Sequence, residues 1–237
     1  MIIAIILLVS SVMTYFTSIR SVNSSYRRIL VLYALITIIS AIAVRYFQEL
    51  YPQDLLSGAV LKFCASLPSV LYAYRGYQLR HTKFGLIITL AIVLGLIADV
   101  SINISFLAGG AVFLIGHLLY DFAFFSEQRP SGKQVVLWLV LTVLAAAAIY
   151  LFRNHFDSFL NAAGPFLYIS ILISTVVFSW SHGKMIFAAA LIFALSDCFM
   201  VGNMLFNSTI LLKILALLVY YGALLVYGTV LWQRSTQ

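Results

Sequence analysis

Apolar runs of about 20 residues follow one another along the chain, separated only by short polar links, and that succession leaves few folds open. At 1.5 Å rise per residue, a helical run of this length crosses the roughly 30 Å hydrocarbon core of a bilayer. Strands of a membrane barrel would be about 10 residues long and would alternate apolar with polar. These runs are too long and too uniformly apolar for that. Charged residues make up only 9% of the 237 and hydrophobic ones 63%, whereas soluble chains are about 25% charged. Too little polar surface remains to coat a globule in water. The expected fold is all-α: a polytopic transmembrane helical bundle forming one domain over residues 1–237.

Nine spans are expected, at 2–18, 29–48, 56–74, 84–103, 105–125, 134–152, 164–180, 185–205 and 208–232. The breaks fall where polar residues, Gly or Pro cluster, as in RSVNSSYRR (20–28), ELYPQD (49–54) and SEQRPSGK (126–133). The links near Ile102–Ile104 and Phe206–Asn207 are so brief that tight hairpins are expected there. The first residues are apolar at once, without the basic n-region and small-residue cleavage site of a secretory signal, so 2–18 is read as a retained span. Lys and Arg test the orientation. Ten of the twelve outside the spans fall on the side of the odd-numbered links and the C-terminal tail, leaving only Arg45 and Arg153 opposite. The N-terminus is therefore expected outside and the C-terminus in the cytoplasm, in the cell membrane if the source is prokaryotic.

The formal net charge of +7 comes from scattered residues. They form no stripe of the kind that binds nucleic acid, so no nucleic-acid partner is expected. Cys64 and Cys198 both lie in apolar runs and are read as buried, bland thiols with no disulfide or metal role.

The ionisable residues inside the spans are the sharpest signal, because each costs about 2.5–3.5 kcal/mol at a helix centre on insertion scales. They are Lys62, Lys213, Asp99 and Asp197, with Asp121 nearer the cytoplasmic end of its span. Alternating span directions place Lys62, Asp99, Tyr168, Asp197 and Lys213 in the outer half, with His117 near the middle. Spacing adds shared helix faces: Lys62, Ser66 and Ser69; Lys213, Tyr220 and Tyr227; Phe113, His117 and Tyr120 or Asp121; and the pair Asp99 and Asn103. Gly109, Gly110 and Gly116 are candidates for close helix approach. Interhelical hydrogen bonding alone accounts for Ser66, Ser69 and Asn103, whereas amides would stitch helices at lower cost than Asp99 and Asp197 do. A single cavity holding the two carboxyls is therefore expected.

The segments LKFCASLP (61–68), GLIADV (95–100), FLIGHLLYDFAFF (113–125), PFLYIS (165–170), FALSDCF (193–199) and KILALLVYYGALLV (213–226) resemble, in order, the YhhN or lysoplasmalogenase-like family of membrane proteins. The chain departs from the family's pattern at Ala98, where Gly usually precedes the first aspartate, and at Phe63, where Pro tends to follow the lysine. The resemblance implies an eight-span core, here 29–233, with 2–18 as an extra span. It also implies a hydrolase that splits the vinyl-ether bond of lysoplasmalogens into a fatty aldehyde and a glycerophospho-alcohol, with Asp99 and Asp197 as the catalytic pair.

Vinyl ethers hydrolyse by protonation at carbon, giving an oxocarbenium ion that water traps. Two carboxyls in an apolar cavity divide the work, one holding a proton and the other ionised, much as in glycoside hydrolysis. Sequence does not say which is which. Lys62 and Lys213 are candidates for the lipid phosphate or for ion pairing with the acids. His117, Tyr120, Tyr168 and Tyr220 are candidates for the substrate pocket or its hydrogen-bonded surroundings. No metal or cofactor is expected, and the partners are the bilayer and a lysophospholipid-like substrate. The rival from another class is a proton-coupled transporter or lipid-translocating protein, since buried Asp and Lys also form proton relays. A non-catalytic structural protein is the third reading.

Overall fold

The computed structural model of the chain describes residues 24–151, 159–206 and 209–235. The expected span at 2–18 lies outside the described residues. Those described form eight long helices and no strand: α1 (Ser24–Leu50), α2 (Leu55–Gln78), α3 (Lys83–Ile104), α4 (Phe106–Glu127), α5 (Gly132–Leu151), α6 (Phe159–Ser179), α7 (Lys184–Phe206) and α8 (Ile210–Ser235). A single 3₁₀ turn, Trp180–His182, joins α6 to α7. Among the described residues, seven helices have the length and apolar composition to cross a membrane.

Local chemistry fixes where several of the helices start. Asp54 caps α2, accepting the Ser57 N–H at 3.0 Å, and this bond holds its exposed carboxylate below the usual range. Thr82 does the same for α3 through the Gly85 N–H. Ser131 and Gln134 form a reciprocal box before α5: the Ser131 backbone N–H donates to Gln134 Oε1 at 2.9 Å, and the Gln134 N–H reaches Ser131 Oγ at 3.4 Å. The hairpin between α3 and α4 is a single residue, Ser105, whose N–H closes α3 on Ser101 O while its Oγ caps α4.

That tight hairpin requires Gly109. A Cβ there would lie 2.6 Å from the Ile102 backbone, closer than any real contact. Of the two other glycines expected to aid close packing, Gly116 is in ordinary contact with α3 and Gly110 faces open space. Closer still to the middle, Gly95 of α3 lets the Tyr220 hydroxyl of α8 approach, and a Cβ would stand 3.1 Å from it.

Helices α2, α3, α4, α6, α7 and α8 pack each against the next in a closed circuit, with α8 returning to α2. Outside it, α1 lies against α2 and α8, and α5 packs on α6. Helix α5 has no buried residue, yet its outer surface carries Val136, Leu139, Val140 and Leu144. Inside the circuit an otherwise apolar core also holds Lys62, Ser66, Ser69, Asp99, His117 and Asp121, all buried. An apolar surface around buried ionisable groups is untenable in water but natural in lipid, where the solvent itself is hydrocarbon. The chain is an integral membrane protein.

Two sequence expectations change. Both cysteines are free and exposed on the outer helix surfaces rather than buried, because Cys64 and Cys198 fall on the helix faces turned away from the interior. Helix α6 begins five residues before the expected 164, so Pro165 lies inside it instead of at its start.

Candidate active site

The site is built from one residue face on each of several helices. On α2, Lys62 and Ser66 are one turn apart and both buried. The Ser66 hydroxyl donates to Asp99 Oδ2 of α3 and also lies 3.1 Å from the Lys62 carbonyl. A serine has one proton and two acceptors here. When that proton goes to the Lys62 carbonyl, the Asp99 contact survives with Asp99 as donor, so the pair accommodates either protonation state of Asp99. One turn beyond, Asn103 Nδ2 donates to the Asp99 carbonyl at 2.8 Å.

Asp197 of α7 comes from the other side of the circuit. Its Oδ2 accepts the Tyr168 hydroxyl of α6 at 2.6 Å, and Ser196 Oγ lies 3.5 Å from Oδ1. Both carboxyls line one partly open cavity of about 40 Å³, together with Arg45, Lys62, Phe113, Ser196 and Tyr220. A space of that size holds a water molecule, whose minimum is about 10–15 Å³. Two cations, Lys62 and Arg45, line the same cavity. Asp99 is tied to the Lys62 turn through Ser66, whereas the hydrogen-bond partners of the Asp197 carboxyl among the described residues are the hydroxyls of Tyr168 and Ser196.

Of the residues singled out in the sequence, Lys62, Asp99, Asp197 and Tyr220 line the cavity, and Tyr168 reaches it through Asp197. His117 and Tyr120 lie one layer deeper, around a separate void of about 10 Å³ with Gly95 and Phe193; Phe113 borders both spaces. The His117 ring stands edge-on to Phe193 and Tyr168, at centroid distances of 4.6 and 5.8 Å. Tyr120 stacks on Tyr227 at 4.4 Å. Next to it, Asp121 accepts the Ser174 hydroxyl.

Lys213 is elsewhere. It sits in the first turn of α8 and pairs with Glu49 of α1 at 3.2 Å, away from the cavity. The sevenfold spacing to Tyr220 and Tyr227 is real, but the helix has only just begun at Ile210, and the long side chain turns to the nearest carboxylate.

Arg45 is the residue that sequence reasoning missed. It falls within the expected 29–48 yet counts there with the charges of a link; on α1 it lines the cavity. Its Nη1 donates to Gln48 Oε1, Gln48 Nε2 to Asn103 Oδ1, and Asn103 to the Asp99 carbonyl, a chain of hydrogen bonds from α1 to α3. A signal was present: Ala41, Val44, Arg45 and Gln48 share one helical face, and Ala41 and Val44 are fully buried.

Among the described residues no three His, Cys, Asp or Glu side chains converge as a metal site would require. In comparison with known proteins, no protein of curated function and no solved structure matches. The sequence pattern of one family does match, over residues 57–228, a stretch that contains Lys62, Asp99, Tyr168, Asp197 and Tyr220 and most of the helical circuit. The chain therefore belongs to the YhhN family.

Proposed function

We propose that the protein is a membrane-embedded lipid hydrolase that cleaves the vinyl-ether bond of lysoplasmalogens, with Asp99 and Asp197 as its acid–base pair. The observation that carries this reading is the shared cavity: two carboxyls from helices far apart in sequence face one water-sized space that Lys62 and Arg45 also line. Family membership points to the same chemistry.

The hydrogen-bonded surroundings assign the roles. Asp99, linked through Ser66 to the Lys62 turn and through Asn103 and Gln48 to Arg45, is the ionised member; Asp197, whose described partners are the hydroxyls of Tyr168 and Ser196, holds the proton. Tyr168 occupies Asp197 Oδ2, which leaves Oδ1 to present that proton to substrate. Asp197 protonates the outer vinyl carbon, the double bond supplies the electron pair, and an oxocarbenium ion forms next to Asp99. Water adds to that ion and gives its proton to Asp99. The hemiacetal then collapses: Asp197 takes the hydroxyl proton, Asp99 returns its proton to the departing glycerol oxygen, and the aldehyde leaves. Both acids end as they began. Lys62 and Arg45 are also placed to attract the lipid phosphate.

The reading is tested with purified protein in micelles. A lysoplasmalogen should release aldehyde while its ester analogue is untouched, and in D₂O one deuterium should enter the carbon next to the aldehyde. Aldehyde release without that deuterium would exclude protonation at carbon. No release would exclude the hydrolase.

Proton-coupled transport is the second reading, supported by a third buried acid, Asp121, beyond His117 and Tyr120. Proteoliposomes that move a solute or scramble lipid, from protein that hydrolyses nothing, would decide for it.

A further inference from the structure

The end of the bundle opposite the candidate active site carries a second feature, independent of the hydrolase reading. A pocket of about 280 Å³ opens between the last turns of α2, α4 and α8 and the first turn of α3. It lies roughly 20 Å along α3 from Asp99, counted from Gly85 at 1.5 Å per residue. Tyr77, Arg80, Thr82, Glu127 and Arg234 supply its polar wall.

The charges in that wall are already partly spent, and what is left over is positive. Glu127 is fully engaged: Oε1 accepts Arg234 Nη1 at 2.6 Å, and Oε2 lies 3.3 Å from His182 Nδ1. Arg234 is held as well, its Nη2 donating to the His182 carbonyl at 3.4 Å and its guanidinium lying 4.2 Å over the Phe84 ring. Glu127 and Arg234 cancel, and Arg80 stands as the uncompensated charge. Thr82 Oγ1 accepts the Gly85 N–H, so its own hydroxyl proton is free to donate. The link is pinned by His81, the one described residue other than glycine with positive φ, at 48°. Around the pocket, Arg75, Lys83, Arg129, Lys133 and Lys184 lie at the same end, where Glu127 is the only acid among the described residues.

We propose that this pocket binds a phosphate group, with Arg80 as the principal contact and Arg234, its charge already paired with Glu127, and Thr82 as further donors. A guanidinium fork matches phosphate oxygens in pairs, and the pocket has room for a phosphate with part of the alcohol it esterifies. The source is either the headgroup of an anionic phospholipid in the adjoining leaflet or a soluble phosphate ester.

The test measures binding to the full-length protein. One arm uses nanodiscs of phosphatidylcholine containing increasing phosphatidic acid; the other titrates inorganic phosphate and glycerol phosphate into protein in neutral detergent. Saturable binding is expected in at least one arm. Arg80→Gln should weaken it about tenfold to a hundredfold, the loss of one charge-assisted contact, while Lys133→Gln, at the same end but outside the pocket, changes it little. Binding only in the lipid arm assigns the headgroup; binding in the soluble arm assigns a free phosphate. Arg80 is exposed, so its variant keeps the fold. Failure to saturate in either arm, or equal weakening by the two substitutions, would overturn the proposal, since the basic end would then attract anions only diffusely. Neither outcome bears on aldehyde release.

Discussion

Replacing Tyr168 with Phe separates the proposed chemistry from mere packing. The ring stays, with its edge contact to His117 at 5.8 Å, and only the hydroxyl that donates to Asp197 Oδ2 at 2.6 Å is lost. If Asp197 starts as an acid and becomes a carboxylate as it protonates the vinyl carbon, that hydrogen bond strengthens along the reaction. A neutral hydrogen bond contributes about 1 kcal/mol and one to a charged group about 1.5–3 kcal/mol. The transition state therefore loses about 0.5–2 kcal/mol more than the ground state. At 1.36 kcal/mol per decade, kcat falls about 2- to 30-fold. KM should hold, because Tyr168 acts on Asp197 Oδ2 and does not itself line the cavity at the reacting groups. Steady-state aldehyde release in micelles measures both constants. An unchanged kcat, or a raised KM with kcat intact, would refute the assignment of Asp197 as the acid.

Lys62→Met should cost about a hundredfold in turnover, and in a cycle with Asp99→Asn the two losses should be less than additive, with a coupling of about 0.5–3 kcal/mol; strict additivity would mean Lys62 does not act through Asp99. Gly109→Ala forces a methyl to 2.6 Å from the Ile102 backbone and should destabilise the protein by about 1–3 kcal/mol, read from unfolding in detergent, whereas Gly110→Ala, facing open space, should be neutral or better. Asp54 titrates at the start of α2. Its folded carboxylate is held below the usual 3.8 by the Ser57 N–H, so its cap contributes fully above that value and is lost as pH falls through the lower folded value. Asp54→Asn should keep the cap and remove this acid-side dependence of stability; an unchanged pH profile would show that the cap contributes nothing.

How far the sequence was legible divides along the helix axis. Positions along each helix were readable, because apolar length and polar links mark where a crossing starts and stops: the expected 84–103 is Lys83–Ile104, and 185–205 is Lys184–Phe206. Depth followed from this, and it brought Lys62, Asp99, Tyr168 and Asp197 to one level. Rotation about each axis was readable only where polar residues repeated, as in Lys62, Ser66 and Ser69. Lys213 shows the limit, since its spacing to Tyr220 fits a shared face while its long chain turns to Glu49 at the helix start. Arg45 shows the converse. A charge three residues from the expected end of a span was assigned to the link, whereas it lies on α1, half-buried, bonded to Gln48 and lining the cavity. The pairing of Tyr168 with Asp197, and of Ser66 with Asp99, depends on which helices are neighbours, and no single-chain pattern encodes that adjacency.

The central claim is that Asp99 and Asp197 together perform the hydrolysis, and the most direct measurement is aldehyde release by Asp99→Asn and Asp197→Asn, each purified, monodisperse and matched in unfolding behaviour to the parent. The account predicts a loss of about 10²–10⁴-fold in kcat for each variant, the range expected for removing an acid–base group. Parent-like turnover in either one would contradict it.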